Sequence, residues 1–280
     1  MQNKKIEKCF NKKMQVEKEI LNWYVQAGVT ETIGEIPQNR FNPKPEAVLL
    51  KKEMPPMPYQ AVPTEESPVP ADNLLQTATQ KANGANSLAE LKEALISFDG
   101  CSLKKTAKNT VFGQGNPDAD VMFIGEAPGA DEDRLGLPFV GVSGQLLDKM
   151  MLAIGLSRQT NAYISNIIPW RPPGNRNPSN VEIALCMPFI QRHIELIAPK
   201  IIIALGGTAF SALINTAETI SKSRGVWHSY QSAGLVAPIL LMPVFHPAFL
   251  LRTPAQKKNA WRDFLNIRQK LDELNTTTDS

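Results

Sequence analysis

Three short loops carry side chains that could do chemistry, and each loop follows an apolar run that predicts a buried strand. They are Gly125-Glu126-Ala127-Pro128-Gly129 continuing to Glu132, then Ser165-Asn166, then His246-Pro247. A carboxylate, an amide and an imidazole that meet in one cleft suit the hydrolysis of a polar ligand. Each loop taken alone also has an ordinary structural explanation, as a turn, a helix cap or a buried histidine. The residue types therefore predict a hydrolytic cleft without identifying its ligand.

The glycines of the first loop exclude two common nucleotide-binding patterns. No Lys-Ser or Lys-Thr pair follows them, as it would in a phosphate-binding loop. The run GEAPG also differs from the G-x-G-x-x-G pattern of dinucleotide sites.

The elements that must position these loops are strands that alternate with helices. This pattern predicts an α/β fold with a central, mainly parallel sheet covered by helices on both faces. Ligands of such sheets bind beyond the carboxyl ends of the strands, where all three loops fall. Ser179 and Glu182 have capping-box spacing, and Pro188 is expected to kink or divide the helix that they begin. The predicted strands are 121–125, 162–168, 200–205 and 239–244, and the predicted helices are 88–97, 143–154, 179–197, 208–214 and 253–274.

Composition divides the chain into four predicted segments. Apolar residues at helical spacing predict an N-terminal helical extension over residues 1–35, whose apolar face could bind a protein partner. Residues 36–86 are expected to form a flexible linker, because nine of the 22 prolines lie between positions 37 and 70 and the rest is small and polar. Residues 87–275 form the predicted α/β domain, and residues 276–280 a disordered tail.

The charge balance and the cysteines constrain the class of protein. The net charge of +3, from 30 basic and 27 acidic residues, is too small to indicate a nucleic-acid binder by itself. The N-terminus is charged where a signal peptide would be apolar, and no run of residues reaches transmembrane length. Cys9, Cys101 and Cys186 are scattered and form no C-x-x-C pair, which fits a reducing compartment. We therefore expect a soluble, cytoplasmic protein without a membrane partner.

Several longer motifs resemble the uracil-DNA glycosylase superfamily, and most closely its family-4 enzymes. They are VMFIGEAPGADEDRLGLPFVGVSGQLLDKM, YISNIIPWRPPGNRNP, ALGGTA, RGVWH and FHPAFLLR, and the resemblance extends over about residues 99–271. It implies a three-layer α/β/α fold and a bacterial, nucleoid-associated enzyme of base excision repair. Such an enzyme flips uracil out of single- or double-stranded DNA and hydrolyses its N-glycosidic bond. A monomer is expected.

The resemblance also implies roles for the loop residues. Glu126 would position or activate water and face the sugar cation, and His246 would donate to uracil O2 as negative charge develops there. Asn166 would pair with uracil O4 and N3–H, and Phe139 would stack on the extruded base. The backbone at Gly125 and Ala127 would approach the base closely. Glu132 is the candidate for excluding the C5 methyl group of thymine.

The segment after the histidine resembles the loop that enters the DNA minor groove. In this loop Leu250 or Leu251 would fill the place of the extruded base. Four basic residues are candidates for phosphate contacts, the alternative being a solvated surface: Lys149, Arg171, Arg176 and Arg252.

The chain departs from family-4 enzymes at the four cysteines that hold their iron–sulfur cluster. Cys101 and Cys186 match the second and fourth ligand positions, but Phe98 stands at the first and Trp170 at the third. Neither an aromatic ring nor an indole can ligate a cluster. We therefore expect no iron–sulfur cluster and no other metal cofactor, with Phe98 and Trp170 filling the cluster's volume.

Three alternative functions remain beside the interpretation as a uracil-DNA glycosylase. The first is a DNA-binding or polymerase-associated module that recognises uracil or abasic sites without turnover. The second is a glycosylase for another deaminated base, such as hypoxanthine or xanthine, although Asn166 favours uracil. The third is the branch that becomes covalently trapped on its product, which is disfavoured because DEDRLGLPFVG contains no histidine.

Overall fold

The computed structural model describes residues 71–278 of the chain. The predicted N-terminal helical extension of residues 1–35 and the predicted linker up to residue 70 lie outside these residues. Among residues 71–278, no helix combines the length and the apolar composition that a membrane span needs. The elements follow each other as α1 (Ala71–Asn83), α2 (Leu88–Ile96), β1 (Gln114–Gly115), β2 (Val121–Gly125), α3 (Ala130–Leu135), α4 (Val142–Leu152), β3 (Ala162–Asn166), α5 (Asn180–Ile197), β4 (Ile201–Leu205), α6 (Gly207–Ile214), α7 (Ile220–Ser223), β5 (His228–Tyr230), β6 (Ile239–Val244), α8 (Pro247–Arg252) and α9 (Lys257–Thr278).

The six strands form one mixed sheet in the order β1-β3-β2-β4-β6-β5. Its four central strands are parallel, and the short strands β1 and β5 pair antiparallel at the two edges. Every residue of β2, β3 and β4 is buried, which explains why β2 and β4 are continuous apolar runs in the sequence. The predicted α/β fold with a mainly parallel sheet is confirmed. The sequence does not predict β1 and β5, because segments of two or three residues carry no recognisable alternation.

Helices cover both faces of the sheet, with a separate apolar cluster on each side. Ile124 of β2 shares one cluster with Phe210 of α6 and with residues of α1, α2 and α5. Phe123, the preceding residue of the same strand, points to the other side and shares the second cluster with Leu147 of α4 and Phe264 of α9. The result is the expected three-layer α/β/α arrangement.

Two predicted boundaries of the α/β domain are wrong. Residues 71–83, expected in the linker, form helix α1, on which Ala78 and Ala82 are fully buried. These two alanines are four residues apart and so lie on one face, and their small side chains let α1 pack closely against α5. A helix that docks through alanines has few large apolar residues, which is why the segment looks like a linker in the sequence. At the other end, residues 276–278 belong to α9 rather than to a disordered tail.

Helix α5 begins with the capping box that the sequence predicts. The Glu182 N–H donates to Ser179 Oγ at 3.3 Å, and the Ser179 N–H donates to Glu182 Oε2 at 2.7 Å. The helix is not divided at Pro188 and continues to Ile197. Pro188 and the next residue, Phe189, are both buried, so packing holds the helix together where the proline removes a backbone hydrogen bond.

Candidate active site

The three loops predicted to carry chemistry converge at one edge of the sheet and line a cavity of about 420 Å³. Strands β2, β3 and β6 belong to the parallel part of the sheet, so their carboxyl ends meet at the same edge. These strands end at Gly125, Asn166 and Val244, and His246 follows two residues after the last of them. The cavity has the volume of a small-molecule site.

Asn166 presents a buried amide that has an unused acceptor. The residue is 4% exposed, and its Oδ1 has no hydrogen-bond partner among the described residues. Gly125 lies opposite Asn166 in the strand pairing. A Cβ atom at Gly125 would lie 2.4 Å from Asn166 Oδ1 and 2.6 Å from Phe139 Cζ, so only glycine lets these side chains approach the strand end.

His246 is fixed as a neutral hydrogen-bond donor. It caps helix α8, where the Ala248 N–H donates to its Nδ1 at 3.1 Å. Because Nδ1 accepts, the proton of the neutral ring lies on Nε2. Burial and the nearby positive charge of Arg252 lower the pKa of His246 to about 4, against an opposing effect of Glu132. At neutral pH the residue therefore offers an uncharged Nε2–H to the cavity that it lines.

Phe139 forms an aromatic wall of the cavity from an unusual backbone conformation. Its φ of 52° lies in the left-handed region, and the residue is 5% exposed. The ring centroid lies 5.6 Å from that of His246, with the planes inclined by 32°. A flat ring beside a polar wall suits a planar, polar ligand such as a nucleobase.

The two carboxylates of the first loop differ in what they contact. Glu126 is partly exposed and lines the cavity, while its backbone carbonyl accepts from the Ile168 N–H at 3.0 Å. Glu132 is 8% exposed, and its Oε1 accepts from the N–H groups of Val140 and Gly141, both at 2.9 Å. Glu132 thus fixes the turn that carries the aromatic wall, and its role in excluding thymine stays a prediction.

Several lining residues were not singled out by the sequence analysis. Asn175 and Asn177 lie in the motif RPPGNRNP, in which only the arginines were predicted to bind DNA. Ser143 lies at the start of α4. Gly206 and Gly207 also line the cavity, at the start of α6. In the sequence, only their polar side chains, or the lack of a side chain at the glycines, could have indicated that these residues line a cavity.

Comparison with known proteins agrees with this geometry. A model of the uracil DNA glycosylase superfamily matches residues 112–266, which is more than half of the chain. The chain belongs to the uracil DNA glycosylase superfamily.

Several of the relatives found are type-4 uracil-DNA glycosylases. The type-4 uracil-DNA glycosylase of Sulfurisphaera tokodaii is 41% identical over 66% of this chain and 84% of its own length. That of Saccharolobus solfataricus is 42% identical over 64% and 84%, and that of Archaeoglobus fulgidus is 37% identical over 65% and 92%. The predicted similarity to the family-4 enzymes of the uracil DNA glycosylase superfamily is confirmed.

The segment predicted to enter the DNA minor groove forms helix α8, and the two candidate leucines on this helix differ in exposure. Leu250 is 1% exposed and packs in an apolar cluster with Phe245 and Ala260, so it would have to leave this cluster to contact DNA. Leu251 is 39% exposed and is the leucine that can reach DNA without unpacking the helix. Arg252 is exposed and lines the cavity.

The other predicted phosphate contacts occupy different surroundings. Arg176 is exposed at the rim of the cavity but forms a two-point ion pair with Glu182, at 2.9 and 2.6 Å. This pairing with Arg176 lowers the pKa of Glu182 to about 2. Arg171 is partly exposed and donates from Nε to Asn175 Oδ1 at 2.7 Å. Lys149 is exposed on α4.

The four positions that match the cluster ligands expected of family-4 enzymes lie in the core. Cys101 and Cys186 are free thiols, 0% and 1% exposed, in the same apolar cluster as Phe98 and Trp170. Phe98 packs on Phe189 with ring centroids 5.3 Å apart, and Trp170 Nε1 donates to a threonine hydroxyl at 3.0 Å. Contact with Cys101, and then burial, raises the pKa of the Cys186 thiol well above its ordinary value. Within residues 71–278, no group of three His, Cys, Asp or Glu side chains could hold a metal ion.

Proposed function

We propose that this protein is a monofunctional uracil-DNA glycosylase that extrudes deoxyuridine from DNA and hydrolyses its N-glycosidic bond, the first step of base excision repair. The observation that carries the proposal is that Asn166 lines the cavity while its buried Oδ1 has no hydrogen-bond partner among the described residues. A buried acceptor without a donor is costly, and an N–H group of a ligand would remove that cost.

Uracil is the base that matches this amide. Its N3–H donates to Asn166 Oδ1, and its O4 accepts from Asn166 Nδ2. Cytosine carries an acceptor at N3 and a donor at N4, so the same amide orientation would oppose like groups on both atoms. Phe139 stacks on the face of the base after extrusion, so this stack adds affinity only for a base that the cavity admits.

Cleavage of the glycosidic bond places negative charge on uracil O2 and positive charge on the sugar. His246 meets the first charge with the Nε2–H that its neutral ring carries. Glu126 faces the second charge and orients the attacking water, because a carboxylate both attracts a cation and accepts a proton from water. A donor and a carboxylate on opposite sides of one bond lower the barrier to its hydrolysis.

The exposed residues of α8, together with nearby basic side chains, would contact the DNA. Leu251 fills the gap that the extruded nucleotide leaves, and Arg252, Arg171, Arg176 and Lys149 contact phosphates. We propose that the protein acts on single- or double-stranded DNA as a monomer in the bacterial cytoplasm, with the N-terminal segment available to a protein partner.

The residues at the cluster positions do not fit an iron–sulfur cluster. Ligation needs thiolates, and two of the four positions hold aromatic side chains that are each 1% exposed in the core. We therefore propose that the protein works without a cluster.

Selection of the base by Asn166 is the step that tests the proposal. Asn166→Asp replaces the Nδ2 donor by an oxygen that can only accept, so we expect slower excision of uracil and new excision of cytosine. Single-turnover assays on oligonucleotides that differ only in uracil, cytosine or thymine measure both effects, with Asn161→Asp as a control on a surface amide. Full uracil activity without any gain on cytosine would show that Asn166 does not read the base.

A further inference from the structure

The turn that carries Phe139 is held in a conformation that the chain does not adopt by preference. A φ of 52° is rare for an aromatic residue and persists only where surrounding contacts fix it. The α4 backbone presses on the same turn, since a Cβ atom at Gly144 would lie 1.9 Å from the Phe139 carbonyl oxygen. The direction of the Phe139 ring therefore depends on whatever holds this backbone.

Two side chains of opposite charge hold the turn from its two sides. Glu132 accepts from the N–H groups that follow Phe139, as described above. Arg158 donates from Nη1 to the Pro138 carbonyl and from Nη2 to the Phe139 carbonyl, both at 2.8 Å. The guanidinium thus bridges two successive carbonyls of the turn.

Arg158 is itself fixed and is remote from the reacting atoms. It is 7% exposed, and its Nε and Nη2 contact Asp148 Oδ1 at 2.9 and 2.8 Å. Its Nη1 also donates to Gln114 Oε1 at 2.9 Å, which ties the turn to strand β1. A guanidinium provides five donors in one plane, so it can serve two carbonyls, a carboxylate and an amide at once, whereas the ammonium of lysine cannot.

We propose that Arg158 is a positioning residue for base recognition: it fixes the backbone of Phe139 so that the ring stands ready to stack on the extruded base. The inference rests on the proposed function, because it assumes that a base enters the cavity. Arg158 does not line the cavity and acts only through Phe139. Its loss should weaken capture of the base more than it slows the chemical step.

The test uses Arg158→Met, Arg158→Lys and a matched control, Arg192→Met. Arg192 is also largely buried and also joins a backbone carbonyl to a carboxylate, through Ala85 and Glu195, but it lies on α5 outside the cavity lining. Binding is measured to oligonucleotides with one 2′-fluoro-deoxyuridine, which resists cleavage, or one thymidine. We expect wild type and Arg192→Met to prefer the uracil analogue. Arg158→Met should lose about tenfold or more of this preference, within the range that a lost base–aromatic stack gives.

Two further measurements separate positioning from a merely structural role. In single-turnover excision, Arg158→Met should raise the half-saturating concentration and change the maximal rate less. Arg158→Lys keeps the charge beside Asp148, so its values should lie between those of wild type and Arg158→Met. In a double-mutant cycle, Arg158→Met should have little further effect on preference once Phe139→Ala has removed the ring. Should Arg158→Met fail to fold, the same cycle is run with Arg158→Lys.

The outcomes distinguish this inference from the proposed function. A wild type that prefers the uracil analogue but cleaves no uracil would contradict the hydrolase and leave the effect of Arg158 measurable. Additive effects of Arg158 and Phe139, or a preference that Arg158→Met leaves intact, would overturn the inference alone. A wild type that cleaves uracil without preferring the analogue would also overturn the inference alone, and one that neither prefers the analogue nor cleaves uracil would overturn both.

Discussion

His246 shows how a single side chain is prepared for its role by its neighbours. The N–H of Ala248 occupies Nδ1, and burial together with Arg252 disfavours the charged ring. A neutral donor in a partly buried site needs no reorganisation when charge develops on the base, which is the main advantage of a preorganised site over water. This role predicts both the size and the pH dependence of the effect of His246.

The pH dependence follows from the lowered pKa. A histidine with an ordinary pKa of 6.5 would become charged below neutral pH, but a pKa of about 4 keeps the ring neutral through mildly acidic conditions. The single-turnover rate of uracil excision should therefore show no loss centred near pH 6.5 and should lose the contribution of His246 only as the pH approaches about 4.

His246→Ala is the control for this profile. It should reduce the rate of excision by about 10² or more, which is the usual cost of losing one donor to a developing charge. DNA binding should stay nearly unchanged. A wild-type rate that falls with an apparent pKa near 6.5, and does so only when His246 is present, would contradict the assignment.

At the scale of elements, helix α8 presents one leucine to solvent and buries the other. The burial of Leu250 and the exposure of Leu251 predict opposite consequences for two otherwise identical substitutions. Leu251→Ala should weaken binding and slow excision from double-stranded DNA while leaving the free energy of unfolding nearly unchanged. Leu250→Ala should lower the free energy of unfolding by about 2–5 kcal/mol through the cavity it leaves.

Urea denaturation and single-turnover excision on matched single- and double-stranded substrates check the leucine pair. Single-stranded substrate has no stack to fill, so Leu251→Ala should have a smaller effect on it. An unchanged rate for Leu251→Ala on double-stranded DNA would show that this leucine does not fill the vacated stack.

Helix α1 changes the expected boundary of the catalytic domain. Its alanine face packs on α5 and belongs to the core, so a protein that begins at residue 87 should lose stability, whereas one that begins at residue 70 should fold and excise uracil. Thermal unfolding of both truncations and of the full chain measures the difference, at about 2–4 °C for each kcal/mol lost in a domain of this size. Equal melting temperatures for the two truncations would show that α1 is dispensable.

The contrast between predicted and observed elements has a physical cause. The loops at Gly125, Asn166 and His246 could be located from the sequence because each comes at the end of a mainly apolar strand. The parallel pairing of these strands then places the three loops at the same edge of the sheet. Helix α1 could not be predicted because alanines pack without a strong apolar pattern. Arg158 could not be predicted because its partners are backbone carbonyls of a turn twenty residues away, which leave no pattern in the chain.

At the scale of the whole molecule, we expect the core to hold together without an iron–sulfur cluster. Phe98 and Trp170 are buried in the same apolar cluster as the two thiols, so the fold should need no iron. The full-length protein, prepared anaerobically, should be colourless without absorbance near ~400 nm, and its melting temperature and activity should survive chelators. Stoichiometric iron and sulfide in that preparation would contradict the prediction.

The central claim is that the molecule releases uracil from DNA. The most direct measurement is single-turnover release of free base from matched oligonucleotides that contain uracil or thymine, read by chromatography and by alkali-sensitive strand breakage. His246→Ala protein purified in parallel controls for a contaminating glycosylase of the host. We predict that free uracil and alkali-labile sites appear in equal amounts from the uracil substrate alone, and that the variant is slower by about 10² or more. Binding to uracil-containing DNA without any release of uracil, or equal release by the variant, would contradict the account.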